Sequence, residues 1–157
     1  MTAFASDIRL HNMGDHLLST LLIGAGLVCA TIVVMVSAIA VAMYAFSRLE
    51  LWLRSYRLIP RLMMGISGVV LWLMLALTAS VWLWAGAFRA FGLFDTFEES
   101  LYFSVVAFTT VGFGDVVLGE NWRLLSGLLA ANGLILFSLV TAFLLEFISI
   151  LRGAKAS

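Results

Sequence analysis

Charge is scarce in this chain of 157 residues: Lys, Arg, Asp and Glu together make 11%, against about a quarter of an average soluble domain. Nine bases balance nine acids, which removes the basic excess that a nucleic-acid binder needs. A single cysteine, Cys29, excludes a disulfide framework, and a single proline, Pro60, leaves long stretches free to run as helix. No HExxH, GxSxG or phosphate loop occurs, and no His/Cys/Asp set converges in the apolar stretches, so a membrane enzyme is the weaker reading. What is abundant is apolar side chain. With 63% hydrophobic residues and 12 Phe, the chain has too much apolar area for one core and too few charges to cover a water-facing surface. It reads as an all-α integral membrane protein.

Three apolar blocks, Leu17 to Phe46, Leu62 to Phe88 and Leu124 to Leu151, exceed the ~20 helical residues that cross a bilayer, and none contains Lys or Arg. The first lacks a basic leader and is far longer than a signal-peptide core, so it reads as a span. Arg48, Arg54, Arg57, Arg61, Arg152 and Lys155 fall on one side of the membrane, and only Arg9, Arg89 and Arg123 on the other. The positive-inside rule then puts the first link and the C-terminus in the cytoplasm, and the N-terminus outside, with a multi-pass protein of the inner or plasma membrane as the expectation. Between the second and third blocks, Phe97 to Phe113 is apolar but too short to span. Such a segment reads as re-entrant, tolerated at membrane depth only where protein buries it or water lines it.

That segment ends in Thr109-Thr110-Val111-Gly112-Phe113-Gly114-Asp115. Before it, Asp95 opens a short helix with Glu98 in capping-box spacing, and the helix runs to Phe108 with its negative dipole end aimed into the membrane. A cation at mid-membrane is costly unless oxygens replace its water, and backbone carbonyls supply them without the grip of full carboxylates. Gly112 and Gly114, alternating with Val111 and Phe113, provide backbone shapes that side chains resist.

The run Thr110 to Gly114, TVGFG, resembles the selectivity filter of the potassium-channel pore domain, for which a TVGYG loop is the usual form. The likeness extends over roughly 63–150: Glu99 to Asp115 is similar to a pore helix plus filter, and Trp122 to Ile148 to an inner helix. Short bacterial three-span members are the nearest form. The resemblance implies three transmembrane helices with a re-entrant pore helix and filter loop between the second and third, in a homotetramer that conducts potassium passively. By it, carbonyls of Thr110, Val111, Gly112 and Phe113, with the Thr110 hydroxyl, hold K+, Gly114 closes the filter, and Thr109, Asp115, Tyr102 and Phe103 support it. Gly133 stands at a hinge position, and Phe137, Thr141, Leu145 and Glu146 at the cavity and gate. No cofactor is implied beyond the permeant ion. Phe113 replaces the commoner Tyr and Phe103 a Trp, so packing alone holds that cuff. Val106 stands where some members have Glu, which leaves Tyr102 as the candidate partner of Asp115. The expected organisation is an outer N-terminal segment (1–16), an extra span (17–46), a cytoplasmic amphipathic linker (47–61), a pore domain (62–151) and a short tail (152–157). The rival readings are a weakly selective monovalent cation channel and a non-conducting accessory subunit.

Other groupings are weaker. Asp7, His11 and Asp15, with His16 beside them, share a helical face but are marginal as a metal or proton site. Arg54, Arg57 and Arg61 lie on one face of the linker, with Pro60 expected to end or kink its helix, and fit either a solvated topology signal or anionic lipid. Asp115 and Glu120 would make the outer mouth negative. Glu146 is the one acid inside the three blocks, and it either rings the conduction path or reaches toward Arg152.

Overall fold

The computed structural model describes the backbone of residues 2–53 and 58–153, and side chains over 17–48 and 63–149. The side chains of Asp7, His11, Asp15 and His16, of Arg54, Arg57 and Arg61, and of Arg152 lie outside the described residues. Among those described, no group of three His, Cys, Asp or Glu side chains could hold a metal.

The chain is all-helical: α1 (Thr2–Leu53), α2 (Leu58–Ala90), α3 (Phe97–Phe108), a single 3-10 turn (Glu120–Trp122) and α4 (Arg123–Gly153). Leu17–Arg48, Met63–Ala90 and Glu120–Ser149 are long and apolar enough to cross a membrane. Helix α3, with 12 residues, is not. Two boundaries differ from the sequence expectation. Helix α1 begins at Thr2 and continues to Leu53, so the helix extends past the candidate span Leu17–Arg48 at both ends; no proline interrupts it. Pro60 lies in the first turn of α2 instead of ending a linker helix, because first-turn residues have no intrahelical use for an N–H.

By packing, the chain divides into two compact units, residues 1–30 with 81–134, and residues 31–80 with 135–157. In the first unit, rings converge where α2 ends and α3 begins. Phe103 lies 5.5 Å from Phe88 and 5.2 Å from Phe94, and Trp84 lies 5.6 Å from Phe88. Edge-to-face and tilted pairs at these spacings add to simple area burial and pin α3 to α2. Helix α1 approaches α4 closely at Gly24, where an added methyl would run into the Leu128 and Leu125 side chains. In the second unit, Met35, Leu73, Leu136 and Phe147 are buried, and the Phe46 and Phe147 rings meet edge-on at 4.8 Å. Trp72 there donates its indole N–H to the Ala38 carbonyl at 2.9 Å, joining α2 to α1.

Helix α2 stops through a left-handed residue. Gly92 has φ +67°, its N–H donates to Arg89 O, and the Leu93 N–H donates to Phe88 O, the paired bonds of a Schellman motif. The chain then turns into α3, whose N-cap is Thr96. Its backbone is extended and its hydroxyl oxygen accepts from the Glu99 N–H at 3.2 Å. The cap therefore falls one residue later than the Asp95 and Glu98 pairing expected from sequence; such a cap is worth about 1 kcal/mol.

Candidate functional site

The loop after α3 is built by how that helix ends. Thr109 is its C-cap, and the Thr109 hydroxyl donates back to Val105 O at 2.8 Å. The Thr110 N–H donates to Ala107 O at 3.0 Å and the Val111 N–H to Val106 O at 3.0 Å, with the Gly112 N–H on the same Val106 oxygen at 3.4 Å. These are the same paired bonds that end α2 at Gly92. At Thr110, however, the left-handed position is filled by a β-branched residue, with φ +61°. A side chain in that conformation costs about 1–2 kcal/mol, and the same motif forms with glycine eighteen residues earlier. The hydrogen bonding therefore does not require a threonine.

Left-handed residues then recur at alternate positions: Thr110 at φ +61°, Gly112 at +57° and Gly114 at +78°, whereas Val111 and Phe113 between them are not left-handed. An alternation of right- and left-handed residues is the backbone pattern that turns successive peptide planes the same way, with carbonyls to one side and N–H groups to the other. Tying the Val111 and Gly112 N–H groups to the end of α3 leaves the carbonyl side available to a ligand. The whole loop from Thr109 to Asp115 is exposed in the single chain.

Its far end is anchored by a hydrogen bond across the loop. The Tyr102 hydroxyl donates to Asp115 Oδ2 at 2.7 Å, the partner that the absence of a carboxylate at Val106 suggested. That bond holds the Asp115 carboxyl below its ordinary value and raises the Tyr102 phenol. A depressed carboxyl stabilises the loop above the ordinary carboxylate range, and the contribution disappears as pH falls through the lowered value. Tyr102→Phe should therefore move the Asp115 titration, followed by carboxyl NMR, upward toward the ordinary value, and the acid-dependent part of the loop's stability should be lost.

The other singled-out residues fall into three groups. Phe103 is buried in the aromatic cluster with Phe88 and Phe94, and among the described residues no ring contact joins it to Phe113, which is 71% exposed. Behind the loop is a hollow of about 380 Å³ walled by Phe103, Val106, Ala107, Thr110, Ser126 and Gly127, among others. Gly133 is buried, and a methyl added there would fall on the carbonyl of Phe108, with Phe108 C at 2.9 Å. Its smallness lets α4 meet the end of α3, a packing reason that requires no bend. On α4, Phe137, Thr141, Leu145 and Glu146 are all exposed, and the Thr141 hydroxyl donates to Phe137 O at 2.9 Å. Glu120 faces Arg123 at 3.9 Å in a loose, exposed pair, and Asp115 shares a hollow with Asp95 and Glu99.

Sequence reasoning did not find the left-handed Thr110, for which no turn propensity speaks, or the contact between Gly133 and Phe108, which is non-local. It also did not foresee Trp84, whose indole N–H is buried without a partner in the first unit.

Comparison with known protein families matches residues 68–149 to the family Ion_trans_2, described as ion channel, which is just over half of the chain and takes in most of α2, all of α3, the loop and most of α4. Comparisons with curated proteins and with solved structures give no significant match. Three membrane-crossing helices, a short helix between the second and third, and a family match over that region establish the conclusion: the chain belongs to the Ion_trans_2 family of ion channels, and is a multi-pass membrane channel and not an enzyme.

Proposed function

We propose that the protein is a potassium-selective channel whose filter is Thr110 to Gly114, assembled from four copies around a common axis. The observation that supports this reading is the alternation of left-handed residues at 110, 112 and 114 directly beyond the end of α3, a backbone pattern suited to turning successive carbonyls to one side. Carbonyls of Thr110, Val111, Gly112 and Phe113, with the Thr110 hydroxyl, then replace the water of a dehydrated cation, and the negative end of the α3 dipole adds to their field. The hydroxyl gives Thr110 a ligand oxygen that glycine, though less strained there, would lack.

One chain offers one row of carbonyls, so closure requires symmetry-related copies. Support for an assembly comes from Phe113, whose 71% exposed ring would seat on a neighbour beside the hollow lined by Phe103, Val106 and Ala107. Phe137, Thr141 and Leu145 would line the cavity, with Glu146 near the cytoplasmic end, and residues 62–151 would make up the pore domain. The N-terminus lies outside and the C-terminus in the cytoplasm on the charge count.

Thr110→Gly separates strain from chemistry. It should leave α3 and the fold intact or slightly more heat-stable, by up to about 1–2 kcal/mol, while lowering potassium flux because one oxygen per copy is gone. Purified protein alone in liposomes should take up potassium and rubidium in preference to sodium. Absence of flux would favour the accessory-subunit reading, and equal sodium uptake the weakly selective one.

A further inference from the structure

We propose that Trp122 is a positioning residue for the ion path: stacked on Phe91, it holds the arm by which the loop leaves Asp115 for α4, and with it the later carbonyls of the row, those of Gly112 and Phe113. The inference rests on reading Thr110 to Gly114 as the filter, and names a residue outside it on which its shape depends.

The two ends of the loop are held by different means. On entry, the N–H groups of Thr110, Val111 and Gly112 all donate to carbonyls of the last turn of α3. Beyond them, no backbone N–H from Phe113 to Asn121 donates to a backbone carbonyl, and no proline stiffens the stretch. Side chains must therefore fix its course. Asp115 accepts the Tyr102 hydroxyl, Leu118 is the one buried residue of the arm, at 3% exposed, and Trp122 closes it. The first of these is a single exposed hydrogen bond for which water competes, so it is a weak tie by itself.

The Trp122 tie reaches a different element. Its ring centroid lies 6.1 Å from that of Phe91, with the planes 15° apart, within the offset-stacked range that aromatic pairs favour. Both rings stand on fixed backbone. Phe91 precedes the left-handed Gly92 and its N–H donates to Ala87 O at 2.9 Å; Trp122 ends the 3-10 turn and its N–H donates to Gly119 O at 2.9 Å. The stack thus joins the end of α2 directly to the end of the arm, without passing through α3. Helix α4 has its own anchors in the fully buried Leu125 and Leu129, so loss of the Trp122 ring frees the turn and the arm while the helix stays in place.

The test is the potassium-to-sodium permeability ratio, taken from reversal potentials of the full chain in planar bilayers, a quantity that does not depend on how much protein folds or inserts. Trp122→Ala should lower the ratio several-fold, Phe91→Ala should lower it to the same extent, and the double variant no further, because the two rings act as one unit. Trp122→Phe, which can still stack, should keep it close to wild type. Trp82→Ala is the control: it removes an exposed ring toward the same end of α2 that pairs instead with Phe97 at 5.7 Å, and it should leave the ratio unchanged. A wild-type ratio in Trp122→Ala, losses that multiply in the double variant, a Trp122→Phe as poor as Trp122→Ala, or an equal loss in Trp82→Ala would each overturn the proposal while leaving the filter reading intact. A wild type that does not discriminate between the two ions would overturn that reading and the proposal with it. Should Trp122→Ala fail to insert, Phe91→Ala against Trp82→Ala decides.

Discussion

Gly112→Ala should abolish ion flux from reconstituted protein while leaving helix content and expression close to wild type. At φ +57° an alanine is penalised by about 1–2 kcal/mol, and nothing nearby crowds the new methyl, so the effect is conformational. The residue can relieve the strain only by turning its peptide plane, and that takes a carbonyl out of the row. In a fourfold assembly the defect is repeated in every copy. Flux at the wild-type rate would mean that the loop from Thr110 to Gly114 is not the ion path.

Gly133→Ala should be nearly as damaging for a different reason. Its methyl would collide with the backbone of Phe108, the last residue of α3, and neither partner is a flexible side-chain tip. Either α4 or the end of α3 must shift, at a cost of about 1–3 kcal/mol for overpacking, and the shift passes directly into Thr109 and Thr110. Thermal unfolding in detergent should fall by several degrees and conduction should be lost or severely reduced. Gly86→Ala on α2 is the control, because an added methyl there meets nothing and the residue lines no hollow beside the loop. Replacing a helical glycine by alanine should make that variant as stable as wild type or more so, by up to about 1 kcal/mol.

How far the sequence alone could lead depended on whether a feature was local. The three spans and the short intervening helix were legible because uninterrupted apolar runs leave few alternatives in a chain with one proline. The Asp95 and Thr96 ambiguity was not resolvable that way. Both residues cap helices well and each has a glutamate three positions later, so only the extended backbone of Thr96 decides between them. Gly112 and Gly114 announced their backbone shapes through the absence of a side chain. Thr110 hid the same shape, because a β-branched residue is the least expected occupant of a left-handed position. Phe103 was named as a support of the loop through the family resemblance; its contacts with Phe88 and Phe94, brought to it by the turn at Gly92, are non-local and were not legible. Gly133 suggested a hinge, while its packing against Phe108 involves a residue 25 positions away.

The reversal potential of purified protein in a planar bilayer, with potassium on one side and sodium at equal concentration on the other, tests the central claim most directly. A carbonyl-lined filter at Thr110 to Gly114 predicts a reversal potential displaced strongly in the direction set by potassium, with rubidium able to replace potassium and with a smaller displacement in Thr110→Gly, which keeps its carbonyl but loses the hydroxyl. A reversal potential near zero, with robust current carried by sodium, would contradict it.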